Sequence, residues 1–377
     1  MLQPISFFAL ANPAAAHMSD HSVSIFIRAI LVMLLVGRLL GEVMHRLGQP
    51  AVLGQLIGGV VIGPSLLGFF FPEVYLAIFP GTPDQKKMID AVSQLGVLML
   101  LLLTGMETNL GLVSKMRRTA ICTSLGGILL PFTCGYLLGQ FLPDRMIPNP
   151  ETRLLTSLFL ATALSISSVK IVAMVLIEVD FMRRNIGQII LASAILDDTV
   201  GWIIIALIGG VAESGGINFT QLGVSVAGTL LFLGLSFTVG KRAVSFLIRW
   251  VNDNFTVEMP VITAILILML GMALLTEAMG VHTVLGAFVA GIIIGQSPIL
   301  TKHIEEQLKG LIVALYMPVF FAVAGLSIDL TVLRSVSLIE LAVLLIAIAS
   351  FGKIVGCYVG GRLGSLSSKE ATALAIA

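Results

Sequence analysis

Asp197 and Asp198 stand side by side in Gln188-Ile-Ile-Leu-Ala-Ser-Ala-Ile-Leu-Asp-Asp-Thr-Val-Gly-Trp-Ile-Ile-Ile205, a run otherwise apolar and long enough to cross a bilayer. A carboxylate at mid-membrane depth costs about 2.5–3.5 kcal/mol on insertion scales, so such a pair is disfavoured unless it faces water, a cation or a buried base. Carrying an ion would account for it. Lys353 is a candidate base, because it is the only charge between Leu341 and Tyr358. At 1.5 Å per residue from Arg184, Asp197 lies about 20 Å from one face of a core about 30 Å thick, and Lys353 falls at a comparable depth in its own segment. Adjacent helical residues point about 100° apart, so the two aspartates cannot share one partner. One of them can pair with Lys353 while the other faces a cavity. A carboxylate beside exposed backbone carbonyls suits a desolvated alkali cation, and the same oxygens bind protons, so the two ligands exclude each other.

Those carbonyls can come from Thr162-Ala-Leu-Ser-Ile-Ser-Ser168, where Thr162, Ser165, Ser167 and Ser168 interrupt an aliphatic segment. Hydroxyl side chains can satisfy freed backbone groups inside protein, which makes this segment a candidate for a helix break. The alternative is an intact helix whose hydroxyls bond the preceding turn. Lys170 either snorkels to the interface or lines the pathway. Glu107, Glu277, Asp329 and His282 fall at helix ends, where solvation, capping or packing is the ordinary role.

The elements that hold these residues are transmembrane helices. The chain is 57% hydrophobic and 11% charged, with a mean hydropathy of +1.04, far from soluble-domain averages. A net charge of +1 gives no footprint for nucleic acid, and Cys122, Cys134 and Cys357 lack metal-ligand or redox spacing. No cofactor is implied. Apolar runs between Gly, Pro and charge breaks predict eleven helices, near 24–41, 49–68, 88–107, 117–141, 154–177, 184–211, 218–240, 258–277, 281–297, 308–330 and 338–363. Of the 22 Lys and Arg, fourteen then fall in loops on one side and six on the other, with Lys170 and Lys353 inside spans. That asymmetry places the N-terminus outside and the richer side in the cytoplasm. Residues 1–23 read as an extracytoplasmic tail and 24–377 as one all-α, multi-pass membrane domain.

The domain repeats itself. Residues 48–65 align without gaps on 280–297 with eight identities in eighteen, and Thr104-Gly-Met-Glu-Thr-Asn-Leu110 aligns on Ala324-Gly-Leu-Ser-Ile-Asp-Leu330. An odd number of helices separates the matched pairs, so they cross the membrane in opposite directions. That is the inverted repeat of many secondary transporters, whose sites lie near the midplane on interrupted helices. In the same register the segments at 154–177 and 184–211 have no counterparts, and Glu370-Ala-Thr-Ala-Leu-Ala-Ile-Ala377 reads as the opening of a twelfth helix. The expectation is a piece of a protein with about thirteen helices.

Taken together, Gln55-Leu-Ile-Gly-Gly-Val-Val-Ile-Gly-Pro-Ser-Leu-Leu-Gly68, Leu102-Leu-Thr-Gly-Met-Glu107, Ala163-Leu-Ser-Ile-Ser-Ser168, Leu196-Asp-Asp198 and Phe351-Gly-Lys-Ile-Val-Gly356 resemble the monovalent cation:proton antiporter-2 family. The resemblance implies a dimerisation domain with a six-helix core that moves like an elevator, a homodimer, and two interrupted helices crossing at the site. It also implies a bacterial-type inner membrane. Carried over position by position, Asp198 is similar to the family's carboxylate that takes the proton and, transiently, the alkali metal ion. Asp197 is similar to the one that pairs with the lysine, here Lys353. Members with two aspartates and this lysine are generally electrogenic sodium/proton exchangers, and relatives with Gln-Asp tend to handle potassium; sodium is therefore favoured. Two other readings remain. An intramembrane aspartyl protease needs carboxylates that converge on one water, whereas these two diverge on one helix, so no enzyme is expected. A uniporter or ion-coupled symporter of a small organic anion could use helix N-termini and Lys353.

Overall fold

The computed structural model describes residues 20–147, 152–214, 219–255, 259–279, 282–297, 302–333 and 335–376. Most of the expected N-terminal tail, residues 1–19, lies outside them. The described residues form helices and no strands. In chain order these are α1 (Asp20–Arg46), α2 (Ala51–Ile62), α3 (Leu67–Phe70), α4 (Pro72–Ile78), α5 (Pro83–Met106), α6 (Leu110–Lys115), α7 (Arg117–Phe141), α8 (Arg153–Ser165) and α9 (Val169–Glu178). There follow α10 (Asn185–Ser214), α11 (Phe219–Leu235), α12 (Lys241–Asn254), α13 (Met259–Ala278), α14 (Thr283–Gly295), α15 (Lys302–Leu311), α16 (Met317–Leu326), α17 (Val336–Leu363) and α18 (Ser368–Ile376).

Among the described residues, nine helical stretches are long and apolar enough to cross a membrane, and α14 is a shorter apolar helix. With the 30-residue α10 they account for each of the eleven predicted segments. The differences lie at the ends. The seventh segment does not stop at 240: a π turn, Ser236–Gly240, carries α11 directly into α12. Lys241, Arg242 and Arg249 had marked a loop, yet at helical spacing they leave Val244, Ile248 and Val251 buried on one face. The tenth segment likewise starts earlier, with α15 burying Ile304 and Leu308 before a second π turn, Ile312–Tyr316, leads into α16. Conversely, α2 ends at Ile62, where Gly63 and Pro64 follow, because the proline ring disfavours helical backbone in the residue before it.

Helix starts carry local signatures. Nδ1 of His282 accepts from the Val284 amide at 3.3 Å, so His282 caps α14, as expected. The Ser335 hydroxyl accepts from the Leu338 amide at 3.3 Å and caps α17. At α18 the Ser367 hydroxyl accepts from the Glu370 amide at 3.3 Å while the Glu370 carboxylate accepts from the Ser367 amide at 2.9 Å, a reciprocal capping box.

The contacts divide the chain into two compact units. The first holds residues up to Gln94 together with Pro318–Thr331. Its core joins Ala29 and Met33 of α1 to Ile62, Phe79, Ile89, Val319 and Ala322. Here α2 crosses α16 backbone to backbone. A methyl group added at Gly59 would run into the Ala322 carbonyl oxygen and lie 2.8 Å from Cα of Gly325, and one added at Gly325 would run into the Leu56 carbonyl oxygen.

The second unit comprises Leu95–Met317 and Val332–Ala377. Within it, α14 crosses α5 through the same contacts: a methyl at Gly291 would meet the Leu102 carbonyl oxygen and lie 3.0 Å from Cα of Gly105, and one at Gly105 would meet the Phe288 carbonyl oxygen. Under the sequence alignment Gly59 matches Gly291, Gly325 matches Gly105, Leu56 matches Phe288 and Ala322 matches Leu102. The rest of this unit is organised around α7 and α17. These cross where Gly126 and Gly356 each face the other's carbonyl oxygen, with Gly352 against Pro131 and Gly360 against Cys122. Small residues let the backbones approach this closely. The α8 and α10 helices pack beside α7, and α9 packs against α10.

Candidate functional site

The fifth predicted segment is broken where its hydroxyls cluster. The α8 helix ends at Ser165, the chain is extended at Ile166 and Ser168, and α9 begins at Val169. Local bonds explain why the first half stops there. The Ser165 hydroxyl folds back on the Thr162 carbonyl at 3.0 Å, and the Ile166 amide bonds the same oxygen at 3.2 Å. The Ser165 carbonyl is left without its helical donor. Gly201 of α10 makes room for the break, since a methyl there would come within 2.7 Å of the Ile166 side chain.

The freed carbonyl is taken by Lys353. Its ammonium donates to the Ser165 carbonyl oxygen at 2.6 Å, to the Ser167 hydroxyl at 2.6 Å and to Oδ2 of Asp197 at 3.2 Å. That commits all three ammonium protons. Ser167 in turn donates to Oδ2 of Asp197 at 2.9 Å. The ion pair is well removed from water, with 24% of the Lys353 side chain and 4% of that of Asp197 exposed. In an environment this dry, removing either partner would strand a charge.

Of the four hydroxyl residues singled out in the sequence, Ser165 and Ser167 therefore contact Lys353. Thr162 is buried but returns its hydroxyl to the Leu158 carbonyl at 2.7 Å, and Ser168 is exposed at the start of α9. Asp198 is half-buried, beside Asp197 on α10, and the groups whose charge acts on it are Lys170 of α9 and Asp197. The structure thus separates the two carboxylates as helical geometry requires, one bound to the lysine and one not. Lys170 is half-buried on the turn that opens α9.

Some participants were not legible in the sequence. Gly127 of α7 lies against the ion pair: a methyl there would sit 3.8 Å from both Oδ2 of Asp197 and Nζ of Lys353, and 2.9 Å from Sγ of Cys357. Glu107 is not a solvated helix end, because 6% of its side chain is exposed and it lies 3.9 Å from the Lys309 ammonium. Gln188, assigned no role from the sequence, is a buried junction. Its amide oxygen accepts from the Asn109 backbone at 2.9 Å, and its amide nitrogen donates to the carbonyls of Met182 at 2.7 Å and Glu107 at 3.4 Å. Nearby, Arg183 and Glu305 pair at 2.8 Å. Among the described residues no cluster of His, Cys, Asp and Glu could hold a resident metal ion.

Comparison with known proteins bears on this geometry. Residues 13–377 match the family model described as sodium/hydrogen exchanger, transmembrane. The chain is 28% identical over 358 residues to the Na(+)/H(+) antiporter NhaS4 of Synechocystis, covering 95% of this chain and 86% of that protein. It is 29% identical to the Na(+)/H(+)-K(+) antiporter GerN of Bacillus cereus, covering 92% and 82% respectively. It also aligns at 28% identity with the Cation/H(+) antiporter 18 of Arabidopsis thaliana, spanning 41% of that longer protein. In fold it is similar to the sodium proton antiporter MjNhaP1 of Methanocaldococcus jannaschii, with a TM-score of 0.61 at 17% identity over 94% of this chain and 82% of that one.

Proposed function

This chain belongs to the transmembrane sodium/hydrogen exchanger family, and we propose that it is a secondary antiporter exchanging a monovalent cation for protons, with Asp198 as the carboxylate they compete for. The observation that carries the reading is the division of labour between neighbours. Asp197 is held in place by Lys353 and Ser167, whereas the half-buried Asp198 follows it on α10 and is acted on by the charge of Lys170, at the start of α9. A carboxylate at that depth is stable as the acid or as the salt of a bound cation, and less so bare. Protonation of Asp198 therefore expels the cation, and loss of the proton readmits one. The carbonyls of Ile166 and Ser167 belong to neither helix, and in this reading such backbone oxygens replace part of a cation's hydration shell.

Sodium is the favoured cation, with potassium the alternative, as the names of the relatives on either side of that choice allow. The matched glycine crossings of α2 with α16 and of α14 with α5 support an inverted repeat, and such repeats move one part against another around a fixed site. The elevator-like step belongs to this proposal, as does the orientation with the N-terminus outside. Transport of a small organic anion is disfavoured, because all three protons of the Lys353 ammonium are already committed to Ser165, Ser167 and Asp197.

The test is Asp198→Asn in proteoliposomes of the full-length protein, with proton movement followed by a pH-sensitive dye during sodium and potassium pulses. Abolition of cation-dependent proton movement with the fold intact is expected. Normal exchange by the variant would overturn the assignment.

A further inference from the structure

Backbone contacts sort helices of the second unit into two sets. In one, α5 is locked to α14 through Gly105 and Gly291, and a methyl at Gly96 of α5 would lie 3.1 Å from the Tyr316 carbonyl oxygen, in the π turn that follows α15. In the other, α7 is locked to α17 through Gly126 and Gly356, and to α8 at Gly135, where a methyl would lie 2.8 Å from Cα of Ala161. The α10 helix belongs with this second set, because its Asp197 is held by Lys353 of α17 and Ser167 of the break. Backbones that touch through glycine cannot slide past each other without first separating.

Side chains, by contrast, tie one set to the other where α10 begins. Arg183, two residues before α10, pairs with Glu305 of α15 at 2.8 Å. Gln188, in the first turn of α10, accepts from the Asn109 amide at 2.9 Å and donates to the Glu107 carbonyl at 3.4 Å, both just beyond the end of α5. Gln188 precedes Asp197 on the same helix by about 14 Å. Any displacement of α10 relative to α5 and α15 therefore breaks these bonds at one end while the site travels with the helix. Their chemistry suits repeated opening. The Arg183 side chain is 63% exposed, so water replaces its ion pair at little cost, and a glutamine amide can likewise exchange its partners for water.

We propose that the Arg183–Glu305 pair and Gln188 form a latch between the two sets, shut in the conformation described and opened in every exchange cycle, at the end that the basic loops assign to the cytoplasm. The inference rests on the antiporter reading, to which it adds the place where the travelling part is fastened. Neither Arg183 nor Gln188 touches the transported ion. Glu107 and Lys309, 3.9 Å apart, join α5 to α15 within one set and stay together throughout the cycle.

A covalent staple tests this in proteoliposomes of the full-length protein. Arg183→Cys/Glu305→Cys is closed with a short bis-methanethiosulfonate, and Glu107→Cys/Lys309→Cys is closed in the same way. Each is compared with itself after dithiothreitol, and the parent, with its three free cysteines, is treated alongside. The expected result is that exchange is lost when the Arg183–Glu305 positions are stapled, returns on reduction, and continues when the Glu107–Lys309 positions are stapled. Exchange at the reduced rate in the closed Arg183→Cys/Glu305→Cys protein would overturn the proposal. So would equal arrest by both staples.

The second measurement needs no staple. Arg183→Glu alone and Arg183→Glu/Glu305→Arg are compared with the parent by deuterium uptake at residues 183–188. The single variant is expected to take up deuterium up to about fivefold faster, the scale of one exposed pair, and the double variant to return to the parental rate. Parental uptake in the single variant would also overturn the latch. Absence of cation-dependent proton movement in the parent, or normal exchange by Asp198→Asn, would instead sink the antiporter reading, and the deuterium comparison would still show whether the pair fastens α10.

Discussion

The Lys353 ammonium lies 3.2 Å from Oδ2 of Asp197, and the same ammonium closes the gap left by the interrupted helix at the Ser165 carbonyl. One side chain therefore performs two tasks, neutralising a deep carboxylate and satisfying an orphaned backbone oxygen. Breaking a buried pair by removing one partner costs about 3–5 kcal/mol, whereas replacing both members by neutral groups costs much less.

From this, Lys353→Gln is expected to lower the melting temperature in detergent sharply, and the Asp197→Asn/Lys353→Gln double variant to recover most of the loss. Thermal melts of the two singles and the double, read as a cycle, test it. Additive losses would mean that the two residues do not stabilise each other.

The glycine crossings make a second set of expectations. Alanine at Gly59 or at its repeat counterpart Gly291 must push a carbonyl aside, and overpacking of that kind costs about 1–3 kcal/mol. Both variants are expected to lose stability by similar amounts in a detergent melt. Gly271 of α13 and Gly234 of α11 have nothing within 4 Å of an added methyl. Alanine there should raise stability by up to about 1 kcal/mol through helix propensity.

Gln188 supports a third prediction. Its amide satisfies the Asn109 amide and the Met182 carbonyl, two backbone groups outside helices, and also donates to the Glu107 carbonyl. Gln188→Leu would leave some of these buried and unpaired, at about 1–3 kcal/mol for each group affected. The expected outcome is a protein that melts lower and exchanges backbone hydrogens faster at Glu107–Asn109, measured by deuterium uptake. Unchanged uptake at those residues would mean that water replaces the glutamine.

The charge pair between Arg183 and Glu305 offers a contrasting case. The guanidinium side is 63% exposed, and such pairs contribute roughly 0–1 kcal/mol. Arg183→Gln is therefore expected to leave the melting temperature within about 1 °C of the parent's, a far smaller effect than that of Lys353→Gln.

Much of this molecule could be read before its coordinates. The apolar segments were located because a bilayer demands a minimum length of nonpolar helix, and the break came within the Thr162–Ser168 window because hydroxyls disturb an aliphatic run in a recognisable way. Asp197, Asp198 and Lys353 stood out for the same reason, as charges in hydrocarbon. What escaped notice depended on tertiary contact. The α12 and α15 helices carry enough charge to read as loops, and only the burial of Val244, Ile248, Val251, Ile304 and Leu308 shows their apolar stripe. Gly127 looks like an ordinary helix residue until α17 is laid across it.

The two π turns have a further implication. Ser236–Gly240 and Ile312–Tyr316 each sit where a lipid-type helix joins an amphipathic one. Such a turn accommodates one surplus residue, which rotates everything beyond it by about 100° relative to an unbroken α-helix. That rotation works like an offset between two gears on one shaft. It lets one continuous rod turn a different flank to its neighbours on either side of the π turn. Removing a single residue from Ser236–Gly240 would turn Lys241 and Arg242 around the axis by that angle and take Val244 and Ile248 out of the packing they now share.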